Sequence, residues 1–131
     1  MFKEEELTRK IIGIAMKLHT ELGPGFKESI YHAGLIVAFK EVGLEVETEK
    51  SFKVYWKKVV IGNFRVDLII HKSVIIEIKA ISGKMPSIFQ AQLVSYLKAS
   101  GLEVGLLLNF GNPSLQFHRI VHYHNLSKSD L

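Results

Sequence analysis

The chain has 131 residues, 47% of them hydrophobic, with 17 basic against 13 acidic side chains and no cysteine. That size suits one domain with its own core over residues 1–131, since no Pro/Ser-rich stretch, charge block, internal repeat or low-complexity segment marks a linker. Zero cysteines exclude disulfides and thiolate metal sites, the net charge of +4 permits a polyanionic partner without requiring one, and the short apolar runs and acidic Met1–Glu6 start argue against a membrane span or secretory signal, so a cytoplasmic protein is expected.

Leu7, Ile11, Ile14, Ala15, Leu18 and Leu22 share one helical face and predict a first helix from about Glu5 to Leu22. Gly23-Pro-Gly25 ends it and opens a second helix, which carries Glu28 in its first turn and closes near Gly43. From Ile30 to Phe39 this helix is apolar nearly all round, which predicts extensive burial. Glu28 shares a stripe with Tyr31 and Leu35, where a carboxylate needs a partner; a glutamate favoured by the helix macrodipole is the alternative. Leu44 to Tyr55 is strand-like, and Val59-Val-Ile61 continues the pairing beyond Lys57-Lys58. Here Lys50, Lys53, Lys57 and Lys58 interleave with Phe52, Tyr55 and Trp56. Lys53, Tyr55 and Lys57 on one strand face suit a phosphate-tracking surface with a stacking ring; the alternative is an edge strand protected by its lysines.

Arg65-Val-Asp-Leu-Ile-Ile70 and Val74-Ile-Ile-Glu-Ile-Lys-Ala80 predict two adjacent strands. The strand period of two places Phe64, Val66, Leu68 and Ile70 on one face and Arg65 and Asp67 on the other; Val74, Ile76, Ile78 and Ala80 likewise oppose Glu77 and Lys79. His71-Lys-Ser73 is short enough for a hairpin, so Asp67 is expected near Glu77 across the ladder. Two carboxylates that close repel, and a hard divalent cation such as Mg2+ or Mn2+ is the usual remedy. Lys79, on the same face, is then placed to orient an attacking water or to neutralise charge building on a phosphate. The alternative is an exposed hairpin face with a weak ion pair.

Pro86 suits the first turn of a third helix reaching Lys98, and Gly101 its exit. Phe89, Leu93 and Leu97 give its core stripe, with Gln92 and Tyr96 on the edge, either bridging a site to substrate or capping a core tyrosine. A buried strand at Val104–Asn109 and a last strand at Leu115–Tyr123 complete the chain. This order alone fits an α/β sheet flanked by helices. His118, His122 and His124 share a strand face, but a strand separates the first two by roughly 13 Å, too far for one ion. His19 and His32 flank the Gly-Pro-Gly turn without a role that the sequence decides. No P-loop, dinucleotide fingerprint or G-x-S-x-G elbow is present.

The order of glutamate on a helix, aspartate on a strand, Glu-x-Lys on the next and Gln-x-x-x-Tyr on the following helix resembles the PD-(D/E)XK nuclease superfamily, in particular its RecB-like branch. Gly25-Phe-Lys-Glu-Ser-Ile-Tyr31 resembles more closely the small family named for its GxxExxY motif. The resemblance runs roughly from Leu7 to Val121 and includes Leu106-Leu-Leu-Asn-Phe-Gly111. It implies a restriction-endonuclease-like core, a central mixed β-sheet flanked by helices. It further implies Asp67, Glu77, Glu28 and the Ile78 carbonyl as metal ligands for Mg2+ or Mn2+, Lys79 as the catalytic lysine, and Gln92 with Tyr96 as the helical glutamine motif. Val66-Asp67 stands where the superfamily has Pro-Asp. A metal-dependent nuclease is therefore expected, acting on nucleic acid, with DNA the first choice, and contacting it through Tyr96, Lys53, Tyr55, Lys57 and Arg65. A Holliday junction resolvase-like endonuclease and a non-cleaving nucleic-acid-binding or interaction subunit are the alternatives, and a homodimer or a larger complex stays open. The terminal Ser127-Lys-Ser-Asp-Leu131 adds no recognisable module.

Overall fold

The apolar spacing of the first segment produces helix α1 (Glu5–Leu22), with the predicted bounds. Glu5 and Glu6 in its first turn complement the helix dipole, and Gly23, at φ 72, ends it. The structure is a computed structural model describing residues 3–124; Met1, Phe2 and residues 125–131, with the Ser127–Leu131 tail, lie outside the described residues. The buried face of α1 is Thr8, Ile11, Ala15 and His19, whereas Leu22, expected on that face, is exposed. Helix α2 (Glu28–Glu41) buries Tyr31, Leu35 and Phe39 completely but leaves Ile30 and Val37 exposed at 39% and 59%. Its apolar composition therefore overstates its burial: the helix has α1 on one flank and the sheet beneath, and its remaining face meets solvent.

The strands are β1 (Val46–Thr48), β2 (Ser51–Trp56), β3 (Val59–Arg65), β4 (Leu68–Ile70), β5 (Val74–Lys79), β6 (Val104–Asn109) and β7 (Gln116–Val121), with α3 (Ile88–Ser100) between β5 and β6. Five of them form one sheet in the order β1-β4-β5-β6-β7. Only β5 and β6 run parallel, which requires the crossover that α3 supplies. Along β5 the period of two sends Val74, Ile76 and Ile78 towards α1 and α2, and Ile75 towards Leu93 and Leu97 of α3. Covered on both faces, β4, β5 and β6 are nearly continuous runs of buried Ile, Leu and Val. The mixed sheet flanked by helices is the architecture expected from the sequence. Among the described residues no helix is long and apolar enough to cross a membrane.

Two expected strands are each broken. Leu44–Tyr55 splits at Glu49, a left-handed residue at φ 49, and Arg65–Ile70 splits at Val66–Asp67. Between these breaks β2 and β3 leave the main sheet as a separate two-stranded hairpin. Its neck is held where the Glu49 N–H donates to the Asp67 carbonyl and the Val66 N–H to the Lys50 carbonyl, both at 3.1 Å. Val66 consequently packs with Ile69 and Ile75 rather than on the Leu68 and Ile70 face, so strict alternation fails at that residue. At the far end Lys57 and Lys58, at φ 48 and 65, form a two-residue turn with both φ positive. Lys57 thus sits in the turn and not on a strand face with Lys53 and Tyr55, because a bulge at Val54/Tyr55 and the turn itself end the alternation.

Candidate active site

The β4–β5 register pairs Leu68 with Ile76, so one further step sets Asp67 opposite Glu77, as the short hairpin predicts. There the backbone ladder gives way to side chains. The Asp67 N–H donates to Glu77 Oε2 and the Ile78 N–H donates to Asp67 Oδ2, both at 2.7 Å. Each carboxylate holds the other residue's strand, and each keeps its second oxygen free of protein hydrogen bonds among the described residues. Glu77 is only 7% exposed. Burial first, and the Asp67 charge second, push its carboxyl up to about 7, against the opposing effects of the Asp67 N–H and the Lys79 ammonium.

Lys79 follows on the same strand face, half-buried, with Nζ 4.4 Å from the centroid of the Phe89 ring. Phe89, expected in the core stripe of α3, packs against the cluster of Leu93 and Leu97 but is only half-buried, and it also seats that ammonium. No ion pair among the described residues joins Lys79 to Asp67 or Glu77. In an extended strand a residue's N–H and C=O face the same edge, so the Ile78 carbonyl faces Asp67.

Glu28 begins α2 and is exposed, so it does not need the buried partner that its stripe suggested; a first-turn position leaves its side chain beyond the covered part of the helix. Its charge still reaches Glu77, raising that carboxyl slightly. The spacing Gly25–Glu28–Tyr31 has a structural cause. The Tyr31 hydroxyl donates to the Gly23 carbonyl at 2.6 Å and accepts the Phe26 N–H at 3.2 Å, while its ring stacks on Phe110 at 4.6 Å. Tyr31 thereby fastens the turn that starts α2 and sets where Glu28 stands. His32 Nε2, one turn after Glu28, donates at 3.1 Å to the Asp67 carbonyl, a contact that the sequence left undecided.

On α3, Gln92 is exposed and makes no side-chain hydrogen bond to the carboxylates, whereas the Tyr96 ring stacks on Phe64 at 4.3 Å, and Phe64 on Phe52 at 5.5 Å. Burial first, then the charges of Glu77 and Asp67, raise the Tyr96 hydroxyl pKa, and the stack ties α3 to the hairpin base. Arg65 ends β3, two residues before Asp67, and is exposed. Lys53 and Tyr55 are exposed further out along the hairpin, and Lys57 lies over the Trp56 ring at 5.6 Å.

The exit from β5 is held by two residues that the sequence reading did not single out. Asn109, fully buried, accepts the Ile81 N–H at 2.9 Å and donates to the Ile81 carbonyl at 3.1 Å. Asn112 does the same to Gly83, at 2.7 and 2.9 Å, and its own carbonyl accepts from His19 Nε2 at 2.8 Å. These amides continue the β5–β6 ladder past Lys79, whose carbonyl accepts the Phe110 N–H at 2.8 Å. At Gly111 an added Cβ would lie 2.2 Å from the Ile81 carbonyl oxygen, so only glycine fits. A lone asparagine ending a run of leucines was the available signal.

The donor set suits a hard divalent cation: two adjacent carboxylates, each with an uncommitted oxygen, a carbonyl at the same edge, and a buried glutamate that forms no ion pair among the described residues. Among the described residues no group of three or more His, Asp or Glu side chains gathers to hold a metal. His118 lies in β7, while His122 and His124 follow it with ring centroids 4.9 Å apart.

Three comparisons bear on this geometry. Of the solved structures, that of SSO0001 aligns with a TM-score of 0.58 at 28% identity over 74% of this chain and 50% of that one, so the chain spans half the length of that protein. An alkaline exonuclease from Laribacter hongkongensis, LHK-Exo, aligns with a TM-score of 0.54 over 94% of this chain and 73% of its own, and at 12% identity the likeness is one of fold. No curated protein matches at a significant level. The family model described as PD-(D/E)XK nuclease superfamily matches residues 5–120. With the carboxylate pair and Lys79 at the end of a mixed sheet, and a match over most of its length, the chain belongs to the PD-(D/E)XK nuclease superfamily.

Proposed function

We propose that this chain is a cytoplasmic nuclease of the GxxExxY branch that hydrolyses phosphodiester bonds in DNA with Mg2+ or Mn2+, residues 1–131 acting as one nuclease domain. The observation that carries the reading is the reciprocal pairing of Asp67 and Glu77, two carboxylates whose oxygens lie 2.7 Å from a backbone nitrogen of the other strand, with no ion pair to either among the described residues. Membership of a superfamily whose nucleases generally use divalent metals supports it. Asp67, Glu77, the Ile78 carbonyl and Glu28 would hold the ion. Bound there, a divalent cation supplies positive charge that offsets the carboxylates and polarises the phosphate.

The remaining roles belong to the chain itself. Lys79 holds the attacking water and meets the negative charge that builds on the phosphate oxygens as the water oxygen bonds to phosphorus and the ester P–O bond breaks. Phe89 and the Asn109 and Asn112 amides hold the strand and ammonium in place. Gln92 and Tyr96 orient the strand being cut, and Arg65, Lys53, Tyr55 and Lys57 hold its backbone.

The test is cleavage of labelled single-stranded, double-stranded and branched DNA and RNA with Mg2+ or Mn2+, comparing wild type with Lys79→Ala and Asp67→Ala. The expected result is cleavage by wild type that falls on the order of a thousandfold or more in both variants. A second reading, a nucleic-acid-binding subunit that does not cleave alone, is favoured by the missing third side-chain ligand among the described residues. Metal and DNA binding by pure wild type without cleavage of any substrate would select it.

A further inference from the structure

The β2–β3 hairpin is built unlike the rest of the chain. From Lys50 to Val66 it carries Lys50, Lys53, Lys57, Lys58 and Arg65 and no acidic residue. Among the described residues only Lys50 of these forms an ion pair, with Glu47 at the neck. At the tip, Tyr55, Trp56, Val59 and Ile61 are 61%, 62%, 61% and 63% exposed. Val59, Val60 and Ile61 point alternately to opposite faces and all are exposed, so the tip is bare on both sides. Its turn places two lysines at φ 48 and 65, a conformation disfavoured for L side chains and usually given to Asn-Gly. A wedge with an apolar body and a cationic edge suits insertion between stacked bases while the lysines meet phosphates. Charge decides the occupant: a second copy would bring the same lysines against one another, whereas a polyanion complements them.

A continuous duplex offers no free base face, but a gap, flap or branch does. We propose that the hairpin tip is a wedge that stacks Trp56 on an unpaired base where a nucleic-acid stack is interrupted, so that the substrates are gapped, flapped or branched rather than continuous duplexes. The inference rests on the nuclease reading only for where the cut falls. At about 3.3 Å per residue β3 carries the tip roughly 20 Å from Arg65, or about six nucleotides at 3.4 Å each, so incision is expected near that distance from the interruption.

Trp56 is the single tryptophan of the chain, so its fluorescence reports the contact directly. Wild type in EDTA is titrated with a duplex and with the same duplex carrying a five-nucleotide gap, and incision is then mapped with Mg2+ or Mn2+. The gapped duplex is expected to quench Trp56 and to bind at least tenfold more tightly than the continuous one. Trp56→Ala is expected to lose about tenfold or more of that affinity, in keeping with the weight of base stacking, and Trp56→Phe to retain most of it, with unchanged circular dichroism. Equal quenching and affinity for both duplexes, or binding to neither, overturns the wedge. So does a concentration-dependent shift of Trp56 emission without DNA accompanied by a doubled mass in sedimentation, which would make the tip a contact between copies. Cleavage without quenching sinks the wedge alone; quenching by gapped DNA without wild-type cleavage sinks the nuclease reading and leaves the wedge standing.

Discussion

Ile81 and Gly83, just beyond Lys79, each have both backbone groups held by a single asparagine side chain, whereas Tyr55, Trp56, Val59 and Ile61 at the hairpin tip are each more than 60% exposed. The floor that carries Asp67, Glu77 and Lys79 is fixed by packing on both faces of a sheet. The hairpin is fixed at its base, where the Phe52, Phe64 and Tyr96 rings stack, and little constrains its tip. The contrast separates two requirements of one reaction. Groups that stabilise a developing charge must be held within fractions of an ångström, while groups that find a variable polymer gain from adaptability.

A methyl group added on each side gives the largest expected contrast. Gly111→Ala drives a Cβ into the Ile81 carbonyl, which Asn109 pins, and is expected to lower stability in urea by about 3 kcal/mol or more. Gly62→Ala in β3 meets nothing within 4 Å and should change stability by less than about 0.5 kcal/mol. Equal effects would remove the distinction between floor and arm.

The charge on the floor makes the next prediction. The folded Glu77 carboxyl titrates near 7, above its ordinary 4.5, so between those values the folded state holds the proton more firmly than the unfolded chain. In chelator, wild-type stability should therefore fall as pH rises from about 4.5 to about 7, by up to roughly 3 kcal/mol, and level off above. Glu77→Gln, which keeps an acceptor for the Asp67 N–H, should lack that slope and melt higher than wild type above pH 7, while losing cleavage. Added Mn2+ should flatten the wild-type slope; a slope unchanged in the glutamine variant would remove Glu77 as its source.

Smaller effects follow at the turn and at the tip. Tyr31→Phe removes the hydroxyl that bridges Gly23 and Phe26 and should destabilise the fold by about 1–2 kcal/mol, with a further loss in kcat through the displaced Glu28. Lys57→Asn combined with Lys58→Gly should instead stabilise the hairpin by about 1 kcal/mol, because it fits the turn's backbone. The same pair should reduce the salt dependence of DNA binding by about two phosphate contacts. Measured together, these two variants show whether the chain keeps its turn for stability and its tip for binding.

Much of the floor was legible in the sequence because its determinants are local. Helical spacing fixed α1, nearly continuous Ile, Leu and Val runs marked β5 and β6, and the three-residue His71–Ser73 link set the register that brings Asp67 to Glu77. The breaks at Glu49 and Val66 were not legible, since neither carries Gly or Pro and Val66 is apolar enough for either face. Phe89 at core spacing hid its part under Lys79. The partner of Asn109 is Ile81, separated from it by all of α3, so no local pattern points to the clamp. Tyr31 stood in a recognisable motif, but its hydroxyl reaches back across the turn, which spacing alone does not reveal.

That hydroxyl turns the motif into a ruler. Each residue inserted between Glu28 and Tyr31 would swing one against the other by about 100° around α2, freeing the turn and turning the acid away from Glu77 at a stroke. An insertion at the Pro113–Ser114 loop would meet no such constraint. Length variation among relatives is therefore expected to gather in the outer loops and to spare the three-residue step from Glu28 to Tyr31, whatever the residues between them become.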